Sequence, residues 1–127
     1  MDPDMNADAW RKSPEELVAR FAEAVAGIEG LEQRKMFGYP AAFVGGNMTT
    51  GLHQESWIVR LPEPVRRERL DAGWSIFEPM PGRPMREYVA LPDEVIADSE
   101  QVRAWVERAV EYVRGLPPKK PKASKKG

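Results

Sequence analysis

One histidine, His53, and no cysteine narrow the chemistry open to this chain of 127 residues. A histidine-ligated metal cluster, a cysteine-ligated zinc, a disulfide and a thiolate nucleophile are all ruled out by composition. Nucleophilic serine chemistry needs a hydroxyl beside a base, and the form easiest to read in a sequence is a Gly-x-Ser-x-Gly elbow, which does not occur. Ser13 and Ser99 stand where helices should start, and Ser124 lies in the lysine-rich end. The carboxylates Glu15, Glu16, Asp98 and Glu100 also sit at helix starts, where they meet the positive end of the macrodipole rather than form an acid–base pair. Gly45-Gly46 lacks the lysine and the strand-to-helix setting of a phosphate loop. The expectation is a protein that is not an enzyme and uses no cofactor and no metal. What remains is recognition: Arg34, Lys35, Arg83 and Arg86 could form an anion patch if the fold brings them together.

The elements that would position these residues centre on 34–61. Gly45-Gly46 can supply positive φ at both positions of a two-residue type I′ hairpin turn, which pairs Val44 with Asn47. A second reversal falls at Gln54-Glu55. The resulting register puts Ala41, Phe43, Met48, Thr50, Leu52, Trp57, Val59 and Leu61 on one face. The opposite face carries Val44, Thr49, Ile58 and Arg60, together with His53, which is expected to be exposed and dispensable. With one face assigned to the helices, that second face is expected to meet solvent, a protein partner or a second copy.

Ser13, Pro14 and Glu16 spell a capping box for a helix carrying Leu17, Val18, Phe21, Val25 and Ile28 at helical spacing, with Gly30 suited to its end. Pro64 opens and Gly73 closes a short second helix. Trp74–Phe77 and Met85–Leu91 read as strands separated by the proline-rich loop 79–84. A final helix from Asp98 or Ser99 presents Val102, Trp105, Val106, Ala109, Val113 and Leu116 before Gly115 and Pro117-Pro118 stop it. The order predicts a two-layer α+β fold, an antiparallel sheet of about five strands with both long helices on one face.

Residues 1–9 are expected to fray, 10–117 to form the domain, and 118–127 to be a disordered tail. Five lysines in the last nine residues take up positive charge and leave −6 on the rest, within a total of −1. An acidic body is a poor partner for nucleic acid, so any such affinity should be weak, nonspecific and confined to the tail. The acidic start is unlike a secretory signal, and no apolar run is long enough to span a membrane, so a cytoplasmic location is expected.

Met36-Phe37-Gly38 after Arg34-Lys35, then Gly46-Asn47-Met48, then Gly82-Arg83 within the proline-rich loop, then Tyr88 in a strand ending Leu91-Pro92, resemble the TfoX N-terminal domain family over residues 13–117. The resemblance implies a compact α+β domain, found alone or joined to a C-terminal helical domain in regulators of natural competence. No such second domain is read in this sequence. Met36 and Phe37 are expected either to anchor the passage from helix to sheet or to form part of a partner surface. Together these readings predict a small regulatory module that binds a protein partner or itself. A basic-tail nucleic-acid protein and a small-anion sensor are the alternatives.

Overall fold

The computed structural model describes residues 12–118. Helix α1 (Glu15–Val25) leads into strands β1 (Glu32–Met36), β2 (Tyr39–Val44), β3 (Asn47–His53) and β4 (Ser56–Arg60). Helix α2 (Glu63–Asp71), strands β5 (Ser75–Met80) and β6 (Arg83–Ala90), the single-turn helix α3 (Asp93–Ile96) and helix α4 (Ser99–Arg114) complete the chain. The strands form one antiparallel sheet in the order β1-β2-β3-β4-β6-β5. The α+β, antiparallel architecture read from the sequence is the one observed, with six strands in place of about five. The added strand is β1, whose Glu-Gln-Arg-Lys-Met sequence has no apolar alternation to reveal it. As an edge strand it gains from those charges, which discourage pairing with another chain.

The β3–β4 register is the one expected, with Leu52 opposite Trp57 and Thr50 opposite Val59. At the β2–β3 turn, Val44 faces Asn47 and Phe43 faces Met48, again as expected, but the next pair is Ala42 with Thr50. Thr49 is therefore an extra residue, a β-bulge. One inserted residue exchanges the two faces of β2 relative to the rest of the sheet. Ala42 and Val44 join Leu52, Trp57, Val59 and Leu61 under the helices, whereas Phe43 and Ala41 pass to the other side with Met48 and Gly51.

The helix side is the main core. Phe21 of α1 meets the Trp57 indole at 5.3 Å between ring centres, and Val102, Val106, Ala109 and Val113 of α4 close over the same strands. Two buried threonines are accommodated by hydrogen bonding: Trp57 Nε1 donates to Thr50 Oγ1 at 3.0 Å, and that hydroxyl donates to the Ile58 carbonyl at 2.7 Å. Thr49 donates to the Asn47 carbonyl at 3.2 Å.

The other side is not open. Register shifts in the β5–β6 pair at Ile76/Phe77 and between Phe77 and Met80 let this hairpin curl over the sheet. Ile58, Phe77 and Tyr88 make a second small core there, flanked by Met48 and Ala90. The Tyr88 hydroxyl donates to the Met48 carbonyl at 3.0 Å, tying β6 to β3 across the intervening strand. The expected loop at 79–84 is instead a tight hairpin turn at Pro81-Gly82, with Gly82 at φ +78° and its N–H bonded to the Glu78 carboxylate.

Helix ends also differ from expectation. The N-cap of α1 is Pro14, not Ser13, and the Ser13 Oγ is buried without a hydrogen-bond partner. Pro14 holds an extended conformation, φ −60° and ψ 144°, so helical geometry starts one residue after the capping-box reading places it. At the other end Gly27, φ +77°, terminates the helix after Ala26, and Gly30 serves the turn into β1. Ser13→Ala is thus expected to leave the melting midpoint unchanged or slightly raised, because it removes an unpaired hydroxyl rather than a cap. A drop equivalent to about 1 kcal/mol, the usual value of a lost cap, would show that Ser13 caps the helix after all. The last helix matches its reading: the Asp98 carboxylate accepts from the Gln101 side-chain amide at 3.0 Å and from the Gln101 and Glu100 backbone N–H groups at 3.3 and 3.1 Å, which together hold its pKa below the usual value.

Candidate functional site

Met36-Phe37-Gly38-Tyr39 forms the β1–β2 hairpin tip, with Met36 paired to Tyr39 and the two central residues at φ +55° and +85°. Gly38 adopts this conformation at no steric cost. For Phe37 the left-handed region costs roughly 1–2 kcal/mol, and a bulky side chain is rare there. The ring is nevertheless 86% exposed, the largest value among the exposed large apolar residues. Of the two roles expected for this motif, Met36 and Gly38 build the turn, and Phe37 is displayed by it rather than buried in a helix-to-sheet anchor.

The other motif residues lie at two further hairpin tips and the link between them. Gly46 completes the β2–β3 turn at φ +84°, Asn47 Nδ2 donates to the Pro117 carbonyl at 3.0 Å, and Met48 receives the Tyr88 hydroxyl. Gly82 and Arg83 form the β5–β6 tip. These residues shape the sheet.

The four cations of the expected anion patch fall on separate parts of it. Arg34 and Lys35 belong to edge strand β1, and Arg83 and Arg86 to β6, with three strands between them in sheet order. Arg34 is also engaged with Glu32 at 3.2 Å and lies over the Phe43 ring. The expected partner face is likewise divided. Val44 is in the helix-side core, Thr49 is the buried bulge residue, and Ile58 is 1% exposed in the second core. Arg60 is paired with Glu87 and stacked over Tyr88. The physical reasons are the Thr49 bulge, which turns Val44 to the helix side, and the curled β5–β6 hairpin, which covers Ile58 on the face that a flat sheet would leave open. Burial raises the Tyr88 pKa, with Glu87 adding to the effect and Arg60 opposing it.

His53 is half-buried between the rings of Tyr39 and Phe77, with centres at 5.1 and 5.4 Å. It bridges β3 and β5, strands far apart in sheet order, and its expected exposure is not observed. Burial holds its pKa below the ordinary 6.5. The unfolded chain therefore takes up a proton first: the stability linked to His53 is complete above that value, declines as pH falls through it, and levels off below the folded pKa. Wild-type protein should show a steeper loss of denaturation midpoint on acidification through this range than His53→Gln. Parallel curves would mean that folding does not lower the His53 pKa. Among the described residues no three histidine, aspartate or glutamate side chains converge as a metal site, and no helix is long and apolar enough to cross a membrane.

Residues 23–113 match the family model described as the TfoX N-terminal domain. The chain belongs to the TfoX N-terminal domain family. The match spans every strand, the last three residues of the first helix and all but the final residue of the last, so the hairpin tips described above are family territory. Membership makes this a domain of the regulatory, competence-associated type. Comparison with curated proteins finds no match. Sequence reading left an anchoring role and a surface role open for Phe37; the available signal for its exposure was a bulky residue directly before glycine in a two-residue turn.

Proposed function

We propose that this TfoX-type domain is a non-enzymatic regulatory module that binds a protein partner through the β1–β2 hairpin tip, with Phe37 as the anchor. The observation that carries the reading is Phe37 itself, an aromatic residue in the left-handed region and 86% exposed. Strain maintained at an exposed position points to use at that position. Rigid aromatic residues are frequent hot spots in protein interfaces, because they contribute a large contact area with little side-chain entropy to lose.

The test is affinity capture from the protein's own cells with wild type and Phe37→Asn side by side. Asparagine tolerates the left-handed conformation, so the variant should match wild type in circular dichroism and melting. Proteins retained by wild type and lost by the variant are expected. Identical retention by the two would overturn the reading, and a wild-type dimer that Phe37→Asn makes monomeric in light scattering would identify the partner as a second copy.

A further inference from the structure

Between α2 and α4 lies a cluster that the reading above does not use. The guanidinium of Arg69, on α2, stacks over the rings of Trp74 and Trp105 at 5.2 and 5.5 Å, and Arg108, on α4, stacks over Trp105 at 4.6 Å. The two indoles meet edge-on at 4.9 Å. Two cations thus share one indole.

Stacking on an indole without a carboxylate partner sets them apart; Arg66, Arg83 and Arg86 also lack a carboxylate among the described residues but stack on no ring there. Six arginines of the described residues, Arg20, Arg34, Arg60, Arg67, Arg103 and Arg114, are bridged to carboxylates. Neither Arg69 nor Arg108 meets a carboxylate or carbonyl among the described residues. Three and four positions from Arg69 along the chain stand Val65, Arg66, Ala72 and Gly73, none of them acidic. Glu111, one turn after Arg108, turns to Arg114 instead at 4.0 Å. The Arg69 Nε is buried with no acceptor, an unfavourable state for a hydrogen-bond donor. Stacking occupies the flat faces of a guanidinium and holds it in place, while its N–H donors lie in the plane and are not used by the ring. That is an arrangement prepared for an oxyanion.

Beside Arg108, Leu61, Pro62, Val65, Glu111 and Tyr112 line a shallow, mainly apolar pocket of about 260 Å³, with the Glu111 carboxylate drawn to Arg114. Cations on indoles next to an apolar recess match a ligand with an anionic head and an apolar body. Two positive charges match the near −2 charge of a phosphate monoester better than the single charge of a carboxylate. We infer that the Arg69–Trp105–Arg108 cluster is a binding site for an organic phosphate monoester with an apolar or aromatic body. The site is separate from the Phe37 tip.

The test titrates the full chain with phenyl phosphate, inorganic phosphate and benzoate, following tryptophan fluorescence and calorimetry. Saturable binding of phenyl phosphate is expected, tighter than the other two, weakened by salt, and reduced at least about tenfold by Arg108→Gln and by Arg69→Gln. Arg34→Gln should leave it unchanged. Arg108 is exposed, so its variant remains informative even if Arg69→Gln fails to fold. No saturable binding up to ~10 mM, well beyond the millimolar range of a weak site, would overturn the assignment. Equal affinity for benzoate or inorganic phosphate, or binding indifferent to Arg108→Gln, would overturn it too.

Discussion

Ile58→Lys is expected to abolish the cooperative thermal transition. Ile58 is 1% exposed and sits with Phe77 and Tyr88 under the curled β5–β6 hairpin, flanked by Met48 and Ala90. An ammonium placed there has no carboxylate in the cluster to meet, and an unpaired buried charge costs several kcal/mol even after relaxation. Small domains have only about 5–15 kcal/mol in total. Ile58→Val, which removes one methyl group, should cost about 0.5–1.5 kcal/mol and keep the fold. A folded Ile58→Lys variant with a near-native midpoint would mean that the far side of the sheet is open and that the hairpin does not close on it.

The second large effect is expected at Trp57. Its indole is fully buried, packs against Phe21 of α1, and donates to Thr50, so truncation removes the junction between sheet and helix and leaves a buried hydroxyl without its donor. Trp57→Ala should cost about 3–5 kcal/mol in denaturant unfolding. Trp57→Phe keeps much of the volume but loses the N–H, and should fall between the variant and wild type. A loss below about 1 kcal/mol for the alanine variant would contradict the packing described, since surface substitutions fall in that range.

Both predictions depend on which face each strand residue occupies, and that was only partly legible in the sequence. Turn chemistry fixed the β3–β4 register, and alternation carried Leu52, Trp57, Val59 and Leu61 correctly to the helix side. The Thr49 bulge left no mark in residue types, because a threonine fits a bulge and a regular strand equally well. Missing it exchanged Val44 with Phe43 and joined Val44 and Ile58 in one supposed open face. The curl of β5–β6 was hidden for a similar reason: Pro79 and Pro84 signal an interruption in regular pairing, but not that the strands continue through it to a two-residue turn. Helix α4 was the most legible element, because Asp98, the Val102–Val106–Ala109–Val113 stripe and Gly115 agree with one another. At the hairpin tip, the residue types gave the motif, but only the structure shows Phe37 in the left-handed region with its ring exposed. The paired arginines on Trp105 escaped notice because α2 and α4 are distant in the chain and each supplies one cation.

The expectations of a frayed start at 1–9 and of a disordered tail at 118–127 fall, apart from Pro118, outside the described residues 12–118. The account of function stands instead on one exposed ring. Photo-crosslinking in the protein's own cells, with a benzophenone-bearing side chain in place of Phe37 and a second chain carrying it at the exposed Leu70 as control, addresses it directly. Binding through the hairpin tip predicts a discrete adduct of higher mass from position 37 that position 70 does not give. No adduct at position 37, or the same adducts from both positions, would contradict it.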